Sequence, residues 1–244
     1  KIQRLLMLPQ LGFKTVWFPI LRSLIPTLFP VNRTLYIAMD RTNWRLTNLM
    51  VISLIYDKRA IPVYIQILNK QGSSNLAEQK RVLDPIIRLL KNYTIVILGD
   101  REFCSVKLAT WLQEQNVGFA LRLKKNENVQ QDSVFVELSQ LGLKPGTSLF
   151  LNGVCVTKQK GFGPFNIAGK WQRNYRGWIA DEGWFILTNL GSLDAAINAY
   201  RKRFDIEEMF RDLKSGGYNL EETWVTGDRL IGLLVLMTLA YSMT

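Results

Sequence analysis

Histidine is absent from the 244-residue chain, and cysteine occurs twice, at Cys104 and Cys155. The first absence excludes Ser-His-Asp triads, histidine-ligated zinc and imidazole acid–base chemistry. The cysteine pair has no C-x-x-C spacing, so a thiolate zinc site and a disulfide framework are excluded as well, and a reducing cytoplasm fits. Acidic residues are few: 20 Asp and Glu stand against 31 Lys and Arg, a net charge of +11. The basic excess is spread along the chain rather than gathered in one tail. That favours a polyanionic partner, nucleic acid first and an anionic membrane surface second. The apolar run at 230–243, LIGLLVLMTLAYSM, falls short of the roughly twenty residues a bilayer span needs, so it reads as a buried helix and no membrane partner is expected. Lys14, Pro19 and Arg22 interrupt the apolar stretches near the start, so no h-region followed by a cleavage site is expected there. There is no internal repeat and no low-complexity segment.

With 48% hydrophobic residues, the chain has enough apolar content for one large core or two modest ones. Residues 1–33 read as helical turns broken by Pro9, Pro19, Pro26 and Pro30, connecting to something upstream. The chain starts without Met and stops inside a helical pattern without a cap, so it is expected to be a piece of a longer protein. TLYIAMD (34–40), NLMVISLIYD (48–57) and IPVYIQIL (61–68) are β-rich runs with short separations, which suggests an antiparallel meander. NLAEQKRVLDPIIRLLKN (75–92) is an amphipathic helix pattern, and TIVILGD (94–100) is an unbroken apolar run typical of a strand covered on both faces. A helix near 105–115 and the strand GFALRLK follow.

Three strands, helix, strand, helix, strand is the ribonuclease-H-like order, an α/β class with a mixed sheet flanked by helices. In that layout the first and fourth strands are parallel neighbours, and ligands gather at their carboxyl ends. The expected division is a first core part at 34–124, an inserted β-rich subdomain at 125–190 marked by turn signals such as LKPGTS and KGFGP, and a second core part at 191–244. The last part should open with a helix over 193–214.

Asp40 and Asp100 close two of the strand runs, and Glu207 lies on the 193–214 helix pattern. Without histidine or paired cysteine, three carboxylates suit hard, oxygen-loving cations, with Mg2+ or Mn2+ the natural occupant. In two-metal phosphoryl transfer a shared carboxylate bridges the ions, and Asp40 is the candidate for that bridge. An aspartate ending a strand is also an ordinary turn former. Tyr200, Arg203, Glu207 and Lys214 would emerge within roughly a 60° sector of a continuous helix, opposite Ile206, Met209 and Leu213, with Phe204 and Phe210 at its edges. Such a stripe lines something wet or charged, or else it is a solvated face; spacing alone leaves both open.

YIAMDRTNWR, ILGDREF and the Y-x2-R-x3-E-x6-K set from Tyr200 to Lys214 resemble the three motif regions of bacterial insertion-sequence DDE transposases of the insertion-sequence-four family, over roughly residues 34–220. The resemblance implies a catalytic domain that cleaves element ends and transfers strands, in the cytoplasm and on the nucleoid when acting. Asp40, Asp100 and Glu207 would be the metal-binding triad for two Mg2+ or Mn2+ ions. Tyr200, Arg203 and Lys214 would contact phosphates of the element end. Trp184, in GWFILTN, matches an aromatic that stacks on a flipped base, although a core role and the nearby Trp178 compete. Arg101 and Glu102 repeat the family pattern after the second aspartate. DNA ends and target DNA are the implied partners, a synaptic homodimer the implied assembly, and a hairpin intermediate the implied route to the second strand. A catalytically inactive DNA-binding remnant, another ribonuclease-H-like nuclease and a basic membrane-surface protein are the alternatives.

Overall fold

The structure, a computed structural model, describes residues 2–157, 161–173 and 181–243. The chain folds into two compact units, one formed by Lys1–Ile95 with Lys202–Thr244 and the other by Val96–Arg201. The first unit begins with a short helix α1 (Ile2–Leu5), a π-helical turn at Phe13–Trp17 and helix α2 (Phe18–Leu28). The expected breaks at Pro19 and Pro26 do not occur. Pro19 falls in the first turn of α2, where an N–H has no intrahelical partner to lose, while Pro26 lies inside the helix, which continues to Leu28 despite the missing donor. The segment is anchored by Trp17, which is buried and donates its indole N–H to the Pro62 carbonyl at 2.8 Å.

Strands β1 (Thr34–Trp44), β2 (Thr47–Tyr56) and β3 (Arg59–Leu68) form the antiparallel meander that the sequence pattern suggests, in the order β3-β2-β1. Both connections are two-residue turns. Asp57 and Lys58 take φ of 44° and 64°, and Arg45 takes φ of 50°, the left-handed twist that tight hairpins need. Pro62 cannot donate to a ladder, and it lies where the β2–β3 register shifts, next to its partner Ser53. Strand β2 is buried without interruption from Asn48 to Ile55. Helix α3 (Leu76–Leu89) starts with a reciprocal cap: Asn75 accepts from the Glu78 N–H at 3.0 Å and Glu78 accepts from the Asn75 N–H at 2.7 Å. It buries Val82, Leu83 and Ile86.

The second unit contains β4 (Thr94–Gly99) from Val96 onward, α4 (Val106–Glu114), β5 (Gly118–Arg122), β6 (Asn128–Gln131), β7 (Val134–Glu137), β8 (Ser148–Val156), β9 (Phe162–Lys170), β10 (Trp184–Thr188) and α5 (Leu193–Arg201). The strands run in the order β4-β5-β10-β9-β8-β6-β7. β4 and β5 are parallel, while β10 joins β5 antiparallel, so the strands between residues 128 and 188 continue the sheet that holds β5. Cys104 and Cys155 are both unpaired thiols.

After α5 the chain makes a 3-10 turn at Lys202–Phe204 and re-enters the first unit as α6 (Asp205–Lys214) and α7 (Asp228–Ser242). The continuous helix expected over 193–214 is therefore two helices with a tight turn between them. α6 buries Ile206, Met209 and Leu213 as its apolar period requires, with the Ser53 hydroxyl 3.4 Å from the Met209 sulfur. α7 is the buried helix read from its apolar run; among the described residues no helix is long and apolar enough to cross a membrane. The whole is a mixed α/β architecture with the element order of the ribonuclease-H-like layout.

Candidate active site

In the first unit, Asp40 is not the last residue of its strand. β1 continues to Trp44, and Asp40 pairs with Val51 of β2, because Arg41–Trp44 keep their ladder with Thr47–Met50 up to the hairpin turn. Its Oδ1 accepts from the N–H of Arg41 at 2.7 Å. Its Oδ2 accepts from Arg203 Nη1 at 2.8 Å, and Arg203 Nη2 donates to Glu207 Oε1 at 2.6 Å. One guanidinium thus holds two carboxylates, one from β1 and one from the first turn of α6. These are charge-assisted hydrogen bonds, short and directional.

The burial of the three side chains is graded. Arg203 is 6% exposed, Asp40 20% and Glu207 53%, so the cation is enclosed while Glu207 remains reachable from solvent. Two negative groups on one positive group leave a net charge of about −1, which favours a further cation over a further anion. Of the acids that open α6, Asp205 is poorly placed to share this role. Burial pushes its carboxyl above the ordinary range, against the pull of Lys202, with Glu208 pushing it further and Lys58 opposing.

In the second unit, Asp100 follows β4 directly. A Cβ on the preceding Gly99 would meet Leu121 Cδ2 at 3.0 Å and Phe103 Cβ at 3.1 Å, so the lack of a side chain at Gly99 lets the turn after β4 pack tightly. Asp100 Oδ1 accepts from the Tyr200 hydroxyl at 3.2 Å and lies 4.0 Å from Arg122 Nη1. Tyr200 is fully buried, with its ring edge-on to Trp184 at 5.2 Å between centroids. Trp184 opens β10 and is half-buried, touching the tyrosine that holds Asp100. Arg101 pairs with Glu182, and Arg122 Nη2 reaches the same Glu182 at 2.9 Å.

These contacts say what the polar stripe lines. Tyr200 and Arg203 are buried, and what each lines is charged: a carboxylate inside its own unit, Asp100 for Tyr200, Asp40 and Glu207 for Arg203, with a 3-10 segment between the two helices. Lys214, the last residue of α6, keeps part of its surface and lies ~10 Å along the helix from Glu207. Trp178 lies outside the described residues. Arg122, which approaches Asp100, and Glu182, which pairs with Arg122, carry no sequence signal that marks them: Glu182 sits in a turn, Arg122 at the end of an ordinary apolar strand.

The donor types suit a hard divalent cation, and Asp40 with Glu207 already converges on a positive group, so these residues fit Mg2+ or Mn2+. Among the described residues no cluster of three or more His, Cys, Asp or Glu side chains is drawn together to hold a metal ion.

Residues 33–243 match the family model of the transposase DDE domain. The chain belongs to that family. Among solved structures, the DDE transposase domain is similar to a piggyBac transposase in a synaptic complex with hairpin DNA, at 10% identity and a TM-score of 0.45, with 84% of this chain and 52% of that one covered. The DDE domain thus spans about half the length of that transposase. It is also similar to the catalytic domain of Mos1 transposase, determined with raltegravir and Mn, at 14% identity and a TM-score of 0.27, covering 45% of this chain and 59% of that one. An Argonaute from Marinitoga piezophila, in complex with guide RNA and target DNA, aligns at 10% identity and a TM-score of 0.31, covering 74% and 26%. No curated protein matches the chain. Likenesses this distant carry no argument of their own, and the family assignment rests on the family match.

Proposed function

We propose that this DDE transposase domain cleaves the ends of a mobile DNA element and joins them to target DNA by metal-dependent phosphoryl transfer, in the manner of the insertion-sequence-four family whose Y-x2-R-x3-E-x6-K spacing it resembles. The observation that carries the reading is the convergence of Asp40 and Glu207, from β1 and α6, on one enclosed positive group in a chain of this family. Asp40, Asp100 and Glu207 would hold the ions. Two Mg2+ or Mn2+ ions, when bound, supply Lewis acidity to the attacking and leaving oxygens.

The chain's own residues set the geometry. Arg203 keeps the Asp40 and Glu207 carboxylates aimed at a common point, and the Tyr200 hydroxyl orients the Asp100 carboxylate. Lys214 meets a backbone phosphate as a point charge. Trp184 stacks on a base at the cleaved end, with the Tyr200 ring as its support. A synaptic homodimer holding two element ends, with a hairpin on the second strand, belongs to the same reading. The test is to incubate the protein with a labelled duplex bearing the terminal inverted repeat, a target plasmid and Mg2+. Joined product is the expected outcome; nicking without joining would reduce the reading to a nuclease, and tight binding without nicking would reduce it to a DNA-binding remnant.

A further inference from the structure

The first unit carries a second feature that the carboxylate site does not use. Trp224 is 83% exposed, and the Arg45 guanidinium lies 3.6 Å from the centroid of its ring. Trp224 also lines a cavity of ≈ 430 Å³ together with Gln3, Met7 and Arg229. Arg45 and Arg229 are both exposed. We propose that Trp224, Arg45 and Arg229 form a second nucleic-acid contact, in which the indole takes a base or sugar and the two guanidinium groups take neighbouring phosphates.

Three observations favour this occupant. First, a tryptophan this exposed, partnered with an arginine, has the composition of a binding hot spot rather than of an ordinary surface, where large aromatics are scarce. Second, the chain carries +11, and the two arginines outweigh Asp228 beside them, so the local charge suits phosphate. Two copies of the chain meeting at this face would instead bring four guanidinium groups together. Third, Arg45 stands at the tip of the β1–β2 hairpin, held there by its left-handed φ of 50°, and β1 is the strand that carries Asp40. Five residues of strand separate them, ~16 Å at the usual rise of about 3.3 Å per residue. A duplex rising 3.4 Å per base pair covers that length in about five pairs. The contact would therefore read DNA about half a helical turn from the position where Asp40 acts.

This inference rests on the DNA-end reading, and the experiment separates the two. Binding of the full chain to element-end duplexes is measured by fluorescence anisotropy for the unaltered protein, Trp224→Ala and the double variant Arg45→Ala/Arg229→Ala. Both sites are exposed, and unchanged melting temperatures are the control for folding. On duplexes extending ten or more pairs to either side of the cleaved phosphate, Trp224→Ala is expected to weaken binding about 5- to 100-fold. The double variant should lower the slope of log affinity against log salt by about 1.8, two phosphate contacts' worth. Shortening the duplex to fewer than about five pairs, on one side and then the other, should abolish the difference between Trp224→Ala and the unaltered protein on one of the two sides. Equal affinities at every length would overturn the platform while leaving end binding intact. Failure of the unaltered protein to bind ends would overturn both readings. A change in sedimentation of Trp224→Ala with unchanged DNA affinity would overturn the proposal and assign the face to a second copy.

Discussion

Arg203 and Asp40 are 163 residues apart in the chain, yet Nη1 of the first lies 2.8 Å from Oδ2 of the second, and the same guanidinium reaches Glu207 through its other nitrogen. Its consequence is a competition. A divalent ion entering between the carboxylates would supply the same positive charge that Arg203 now supplies. Arg203→Ala is expected to lower stability by about 2 kcal/mol in metal-free buffer, less than a fully buried pair because Glu207 is half exposed. For a chain of this size that is a fall of about 4 to 8 °C. Added Mn2+ should then raise the melting temperature of the variant more than that of the unaltered protein. Equal gains in calorimetry would show that the ion and the guanidinium do not compete.

Replacing the carboxylates should separate chemistry from binding. Asp40→Asn, Asp100→Asn and Glu207→Gln are each expected to remove Mg2+-dependent nicking and strand transfer while DNA affinity changes little, since each deletes a charge that would hold the ions. Asp40→Asn should also lose stability, because Arg203 is enclosed there, whereas Glu207→Gln should not. Substantial nicking by any one variant would remove that residue from the triad.

Lys214 and Arg203 should differ in salt dependence. Lys214→Ala is expected to lower the log–log slope for end binding by about 0.9, one phosphate contact. Arg203→Ala should leave the slope nearly unchanged, since its charge is already taken by Asp40 and Glu207. A fall of similar size for Arg203→Ala would mean that the guanidinium leaves the carboxylates for a phosphate when DNA arrives.

Trp184 stands between two roles. It is half-buried with its ring against Tyr200, so truncation to Ala should cost about 1 to 3 kcal/mol, below the 3 to 5 typical of a fully buried aromatic. If it also stacks on a base, second-strand cleavage should fall well beyond what the first nick loses. Measuring both steps and the melting temperature on one preparation decides: parallel losses in all three would leave Trp184 as packing alone.

The meander was legible because alternation and unbroken apolar runs report strands directly, and α3 was legible from its cap as well as its period. The break expected at Pro19 does not occur because that proline falls in the first turn of α2, a position that a residue count does not reveal, and α2 also runs on through Pro26. The end of β1 was placed at Asp40 because apolar residues stop there; the ladder continues through Arg41, Thr42 and Asn43 because β2 supplies partners. A single helix over 193–214 was expected from its period, and the three residues of 3-10 geometry at Lys202–Phe204 that interrupt it leave no mark in that period. Glu182 and Arg122 could not have been found from sequence, since what selects them is their contact with each other and, for Arg122, its approach to Asp100.

Strand β2, buried from Asn48 to Ile55 and hydrogen-bonded on both sides, is the part of the first unit least able to meet solvent. Its amides should open only when the unit unfolds as a whole, so in native-state hydrogen exchange they would report the global free energy while the hairpin tip at Arg45 and Leu46 exchanges freely. Asp40 faces Val51 across that ladder. The carboxylate proposed to anchor the ions thus sits on β1, paired directly with the slowest-exchanging strand, so its backbone should share much of that strand's protection.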